Sequence, residues 1–413
     1  MAPSRAGLRI GPFIFLAYAC LFWILREHSY SGDWWNWVGY LKHGLWYRLR
    51  EPAVLVFYQL PYQALQPFGV TPKAVFAGVS CVSGGLSMAY AFAILRRSCS
   101  NLSAVVLGML VLTFSYGVTG VFFGHVECYS IMSLGCFAYI HYALRYLDGE
   151  RTIVAPSLVF GLLLTTHLMA AWLWPSLLLL PWLRGSPNRS HEFVRSLVVV
   201  AVPNLIVWLT VLFGYYEGAP GNFLTDLATG AYSKQHWGVG NALGGGDGTT
   251  FLTPARIFSI EHARGIGALL LMYSPFLLPA LVVCSSSRPR RRFAWLLHSA
   301  MGRFLLSLWL PYTLFVLTWR ADLGYARDWD LFSHWTLFAL LPVLGMLSSA
   351  KLPGVARAAL GVGLLASVLT TSILVFQSHE RRTPPGPTLY FGALEIDANG
   401  ARLQGRQRRR GAD

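Results

Sequence analysis

Apolar runs of close to twenty residues recur along this chain, and that recurrence limits its possible folds more than any motif does. Eleven such runs can be read, at about 8–25, 72–95, 102–123, 127–147, 153–167, 168–183, 194–213, 265–284, 303–319, 332–348 and 355–376. Only 12% of the residues are charged, against about a quarter in soluble domains. The expectation is an all-α polytopic membrane protein with about 11 transmembrane helices. The first run lacks a small-residue cleavage pattern and is followed by many others, so it reads as a retained helix.

The net charge of +15 would suggest nucleic acid in a soluble protein. In this one it sets topology by the positive-inside rule, and no nucleic-acid partner is expected. The weakest stretch is 153–183, where His167 interrupts the run and Pro175 and Pro181 weaken its second half. Reading it as two helices gathers Arg5, Arg9, Arg96, Arg97, Arg145, Arg151, Arg184, Arg189, Arg195, Arg288, Arg290–Arg292, Lys351 and Arg357 on one side. That side is the cytoplasm, and the N-terminus lies there. The six cysteines, at 20, 81, 99, 128, 136 and 284, show no metal or disulfide spacing and read as small buried hydrophobes.

Acidic residues play little part in setting topology, yet they sort. Asp148, Glu150 and Glu192 fall inside. Glu27, Asp33, Glu51, Glu127, Glu217, Asp226, Asp247, Glu261, Asp322, Asp328 and Asp330 fall outside. A polar site on the outer face would account for this. The loops expected to form it are 26–71, 215–262 and 320–331. In the first, Trp34–Tyr47 suits an amphipathic interfacial helix, Glu51-Pro52 breaks it, and Ala53–Leu65 is a second interfacial or re-entrant piece. The second loop, with Tyr215, Tyr216, Asp226, His236, Trp237 and the glycine-rich 238–248, has the length of a lid. Residues 1–376 read as one transmembrane domain and 377–413 as a flexible Pro/Gly/Arg-rich tail.

Several residues in these loops suit chemistry. Asp33, between Gly32 and the indoles of Trp34 and Trp35, is either a helix-end acid or a general base made more basic by partial desolvation. Gly124-His125-Val126-Glu127 places an imidazole and an acid at the membrane boundary. It is an interfacial turn, a metal-ligand pair, or a pair that hydrogen-bonds sugar or phosphate. In Arg327-Asp328-Trp329-Asp330, Asp330 suits a helix N-cap, Asp328 has no such role, and the two acids together could share a divalent cation. Arg327 and Arg320 suit bidentate phosphate binding. His334 lies one helical turn past Asp330. His167, at the outer turn between two spans, reads as a satisfied buried histidine or a functional one, and Trp172 and Trp174 beside it suit either an aromatic belt or a sugar-stacking surface.

These features resemble the GT-C superfamily of integral-membrane glycosyltransferases, which use polyprenyl-phosphate-linked sugars. The shared points are an acid just beyond the first span, interfacial helices in the first outer loop, a His/Glu pair near the third and fourth spans, and acids with Arg in a late outer loop. The resemblance is architectural, covers about 8–376 and matches no named subfamily. It implies Asp33 as the catalytic base. Donor phosphate would fall to Arg327, Arg320 and His125. Acceptor or sugar would fall to Trp34, Trp35, His167, Trp172, His236 and His334. A divalent cation, Mg or Mn, would fall to Glu127, Asp328 and Asp330. The first loop carries a single Asp instead of an acidic pair, which puts the cation in question. The implied partners are a polyprenyl-phosphate sugar donor, a lipid, glycan or protein acceptor, and membrane lipids. The implied location is a bacterial inner membrane with an extracytoplasmic site. The competing readings are a lipid-linked oligosaccharide ligase or polymerase, and a transporter or flippase. Transporters place ionisable groups near mid-membrane and often show internal repeats; neither is visible here.

Overall fold

The computed structural model describes residues 5–28, 34–47, 51–99, 101–215, 218, 221, 252–286, 289–319, 329–348, 352–380, 389–391 and 394–396. It is a helical bundle. The helices are α1 (Arg5–Ile24), α2 (Trp34–Lys42), α3 (Val56–Leu65), α4 (Pro72–Ser98), α5 (Leu102–Thr113), α6 (Tyr116–Thr119), α7 (Tyr129–Leu147), α8 (Val154–Thr166), α9 (Trp174–Arg184), α10 (Arg189–Tyr215), α11 (Pro254–Ile257), α12 (Ile260–Tyr273), α13 (Leu277–Ser286), α14 (Pro289–His298), α15 (Ala300–Thr318), α16 (Trp329–Ser348) and α17 (Gly354–Glu380). A short antiparallel hairpin pairs Leu389–Phe391 with Leu394–Ile396.

α1 packs along α4, α4 on α7, α7 on α8, and α8 on α10. Small residues permit the first of these approaches. A Cβ on Gly84 would fall 2.6 Å from Phe22, and one on Gly85 would fall 2.6 Å from the Phe15 carbonyl. Without a hydrophobic force between helices in lipid, such close backbone packing is what holds a pair together. α10 and α17 bury little of their apolar surface within the bundle, as lipid-facing helices do. The protein is therefore a multi-pass membrane protein.

Eleven straight crossings are not what the helices establish. Among the described residues, four helices are long and apolar enough to cross a membrane, α4, α10, α15 and α17, or up to six if each bent pair is one span. α5 and the segment Tyr116–Phe122 bend by 72°, and α12 and α13 by 103°. The expected runs 102–123 and 265–284 are these two bent pairs, because an apolar run records burial and not straightness. The two breaks meet and are stitched by side chains. Ser115 Oγ donates to the Tyr273 carbonyl (3.0 Å), Thr371 Oγ1 donates to the Phe114 carbonyl (2.8 Å), and Ser367 Oγ accepts the Phe276 N–H (3.0 Å). Backbone groups freed by a break at membrane depth need such partners. The stretch 153–183 is also two pieces: α8 ends at His167, whose backbone is extended, and a 3-10 turn over Leu168–Leu173 leads into α9.

The ends of the bundle differ in charge. At one end Arg97 bonds Asp148 and, at 2.7 Å, Glu150, which also receives Arg145 (2.9 Å); Arg184 lies 3.7 Å from Glu192. These are the three acids expected on the basic side, each matched by arginine. α7 runs from this end to the other, about 28 Å at 1.5 Å per residue. Its first residue, Tyr129, stands beside the groups described next. α14, which has no counterpart among the expected elements, carries Arg292 inward, where Nη1 bonds the Val283 carbonyl.

Candidate active site

Five chain segments converge at the acidic end: the exit of α1, the turn at Glu51, the loop before α7, the end of α8 and the start of α16. α1 stops at Ile24, and the Glu27 N–H donates to the Phe123 carbonyl (2.7 Å), binding this exit to the loop before α7. In that loop Gly124 has φ +80°, and a Cβ there would lie 3.0 Å from the Arg26 side chain. Glycine's left-handed conformation thus makes the turn that sends His125 inward. His125 is 1% exposed, in a shell of acids: Glu27 4%, Glu127 6% and Asp330 5%.

The His125 ring is held at both nitrogens. Nδ1 lies 3.1 Å from Glu27 Oε1, and Nε2 lies 3.0 Å from Asp330 Oδ2. Burial alone would drive the proton off this ring. The Glu27 charge and the hydrogen bonds to Asp330 and Glu27 outweigh it and hold the imidazolium well above the usual histidine range. Asp330 is the second residue of α16, at the positive end of its dipole. Its carboxylate faces His125, so it does more than begin a helix.

Ligand atoms of His125, Glu127 and Asp330 lie within 4.8 Å of one another. One imidazole nitrogen and two carboxylates suit a divalent cation of Mn type, or Mg completed by water. Glu27 would then hold Nδ1–H and turn Nε2 toward the ion, as carboxylates behind metal-bound histidines do. The residues present fit such a group.

A second buried set adjoins the first. Glu51 Oε1 lies 3.5 Å from His167 Nε2, and ligand atoms of Glu51, Cys128 and His167 fall within 4.8 Å of one another. The Ala53 N–H donates to the Thr165 carbonyl (2.9 Å), tying the Glu51 turn to the end of α8. The Tyr129 ring lies 5.6 Å from His167 and 6.2 Å from His334, and His334 Nε2 is 3.0 Å from Ser133 Oγ.

Thus His125, Glu127, Asp330, His167 and His334 come together. Trp34 is 3% exposed, in one buried cluster with Trp37, Tyr58 and Phe76, and is covered by the Lys73 ammonium of α4 at 3.9 Å, a contact that seats α2 on α4. Trp172 lies farther along the 3-10 turn, against Phe315, and lines an apolar groove of about 640 Å³ with Ala171, Trp174, Pro175, Leu310, Pro311 and Leu314. Asp33, His236, Arg320, Arg327 and Asp328 lie outside the described residues, as does the Trp35 side chain. Glu27 and Glu51 were visible in the sequence only as two outer acids among eleven. Their signal was the sorting of charge, which picks a face and not a residue.

The sequence matches no family model and none of the curated proteins compared with it. The structure is similar to the crystal structure of ArnT from Cupriavidus metallidurans in the apo state, with a TM-score of 0.54 and 13% identity. The match covers 85% of this chain and 62% of that one, so this chain spans about three-fifths of the length of the protein it resembles. A likeness at that identity is one of fold alone: this chain shares the helical architecture of that structure.

Proposed function

We propose that this chain is a GT-C-type glycosyltransferase, moving a sugar from a polyprenyl-phosphate-linked donor to a hydroxyl acceptor. It would act on the extracytoplasmic face of a bacterial inner membrane. The observation that carries the reading is the buried Glu27–His125–Asp330 line with Glu127 beside it, at the end of the bundle opposite the arginine-paired acids. Burying three acids around one imidazole is costly unless a cation or an activated proton is needed there.

Asp33 directly precedes the first residue of α2. In this reading it takes the proton of the acceptor hydroxyl, whose oxygen forms a bond to the anomeric carbon. The bond from that carbon to the phosphate oxygen breaks, and its electron pair leaves with polyprenyl phosphate. Attack from the opposite side inverts the centre. Arg320 and Arg327 meet the charge that develops on the leaving phosphate. A divalent cation held by His125, Glu127 and Asp330, with Asp328 two positions away, would add Lewis-acid stabilisation of that charge. The apolar groove beside Trp172 suits an isoprenoid tail, which keeps the donor in lipid while its headgroup reaches the site.

The test is transfer by the purified full chain in lipid nanodiscs, supplied with polyprenyl phosphates carrying different hexoses and pentoses. Asp33→Asn is expected to abolish transfer without changing expression or melting. Full activity in that variant removes Asp33 as base. Movement of intact lipid-linked sugar across the bilayer without transfer would favour the flippase reading instead.

A further inference from the structure

The Glu51, Cys128 and His167 set has the residue types of a soft-metal site, but its hydrogen bonds say otherwise. His167 caps the turn after α8, and its Nδ1 accepts the Met169 N–H at 3.0 Å. A backbone N–H can only donate, so the Nδ1 lone pair is taken. The neutral ring therefore carries its proton on Nε2, the nitrogen that faces Glu51. That nitrogen has no lone pair for a cation. What remains is a donor and an acceptor, 3.5 Å apart, wider than a well-made N–H···O bond.

A hydroxyl is the group that uses such a pair: its oxygen accepts from Nε2–H while its hydrogen is donated to the carboxylate. The surroundings agree. The half-buried Tyr129 ring lies 31° from the plane of His167 and adjoins His334, an aromatic wall of the kind that lies against a sugar ring. Cys128, whose thiol lies within 4.8 Å of the ligand atoms of Glu51 and His167, directly follows Glu127 of the His125 cluster, so the two sets are joined at consecutive residues just before Tyr129 opens α7.

We infer that Glu51 and His167 form a hydroxyl-binding subsite that holds one carbohydrate hydroxyl beside the transfer site. This rests on the glycosyltransferase reading and assigns Glu51 a part in it. The hydroxyl belongs either to the donor sugar or to a sugar acceptor, and two measurements separate these.

The experiment uses the full-length protein in nanodiscs. The probes are bare polyprenyl phosphate and the same lipid carrying the sugar that is transferred, intact or with one hydroxyl at a time replaced by hydrogen. If the donor sugar is held, the wild-type protein binds the glycosylated lipid more tightly, and one deoxy analogue loses that preference. Glu51→Gln and His167→Gln lose it about tenfold, a hydrogen bond to a charged group, while binding bare polyprenyl phosphate as before. If the acceptor is held, donor binding is unchanged in both variants and acceptor KM rises about tenfold with kcat within twofold. The inference is overturned if no single deoxy sugar, donor or acceptor, is discriminated by wild-type protein that does transfer. It is equally overturned if both variants match wild type in donor binding and acceptor KM. Cobalt absorption bands from a thiolate ligand that vanish in Cys128→Ser would overturn it in favour of a metal. Wild-type protein that transfers none of the sugars sinks the glycosyltransferase reading itself, and the subsite with it.

Discussion

His125 and Asp330 stand 205 positions apart in the chain and meet at 3.0 Å, with Glu27 holding the other side of the same ring. The contact closes the end of the bundle: it joins the exit of α1, the loop before α7 and the first turn of α16 through one imidazole.

That arrangement sets the cation dependence. Glu27→Gln keeps the size of the side chain but lowers the basicity of the group holding Nδ1–H. The concentration of Mn2+ or Mg2+ giving half-maximal transfer should rise by about tenfold to a hundredfold, the usual effect of removing such a partner. Chelation should stop wild-type transfer, and added Mn2+ should restore it. An activation curve for Glu27→Gln that overlays the wild type would exclude the orienting role.

Removing the ring is a different perturbation. His125→Ala leaves Glu27, Glu127 and Asp330 buried near one another without the positive charge between them. Breaking a buried pair in this way costs about 3 kcal/mol or more. The melting temperature of the chelated variant should fall clearly below that of chelated wild-type protein. The triple variant His125→Ala, Glu27→Gln, Asp330→Asn should recover part of the loss, because the uncompensated charge is gone. Equal melting of wild type and His125→Ala would refute this account of the cluster.

The fold was legible in the sequence because lipid demands it: helices must be apolar along their length, and the runs show it. The split at His167 was legible from charge balance across the membrane. The bends at Ser115 and Ser274 were not, since a run of apolar residues gives the same pattern whether it passes straight through or turns. At the site, Gly124-His125-Val126-Glu127 stood out because polar groups at a membrane boundary are costly. Asp330 had an equally good explanation as a cap. Glu27 and Glu51 acquire their partners only through tertiary packing, which brings residues about a hundred positions apart into contact. No local pattern announces that.

The opposite end of the bundle gives a pH prediction. Partial burial raises the Glu150 pKa somewhat, but hydrogen bonds from Arg97 and Arg145 outweigh it and hold the carboxyl below its usual range. A carboxylate whose pKa is depressed on folding adds stability above its unfolded value of about 4.3, lost as pH falls through the lower folded value. Between about pH 5 and pH 3 the melting temperature of wild-type protein should drop more steeply than that of Glu150→Gln. The difference is expected to be small, since the pair is partly exposed and screened. Parallel pH profiles would mean that this network adds nothing to folding.

The crossed bends supply the last test. The Phe114 carbonyl lost its helical partner where α5 ends, and Thr371 of α17 donates to it at 2.8 Å. Thr371 is 4% exposed, so no bulk water stands ready to replace it. Thr371→Val preserves shape and removes only the donor. It should cost about 1–3 kcal/mol, the desolvation penalty of a buried group left unpaired. Thr370, one position along the same helix, bonds its own helix's Ala366 carbonyl, and Thr370→Val should cost less. Thermal melting of the two variants in the same lipid nanodiscs makes the comparison, with membrane environment and side-chain volume held constant. If Thr371→Val melts no lower than Thr370→Val, the bend does not depend on α17 for its polar partner. A lower melting temperature for Thr371→Val alone would show that the break is held from outside, by a helix more than 250 residues away in sequence.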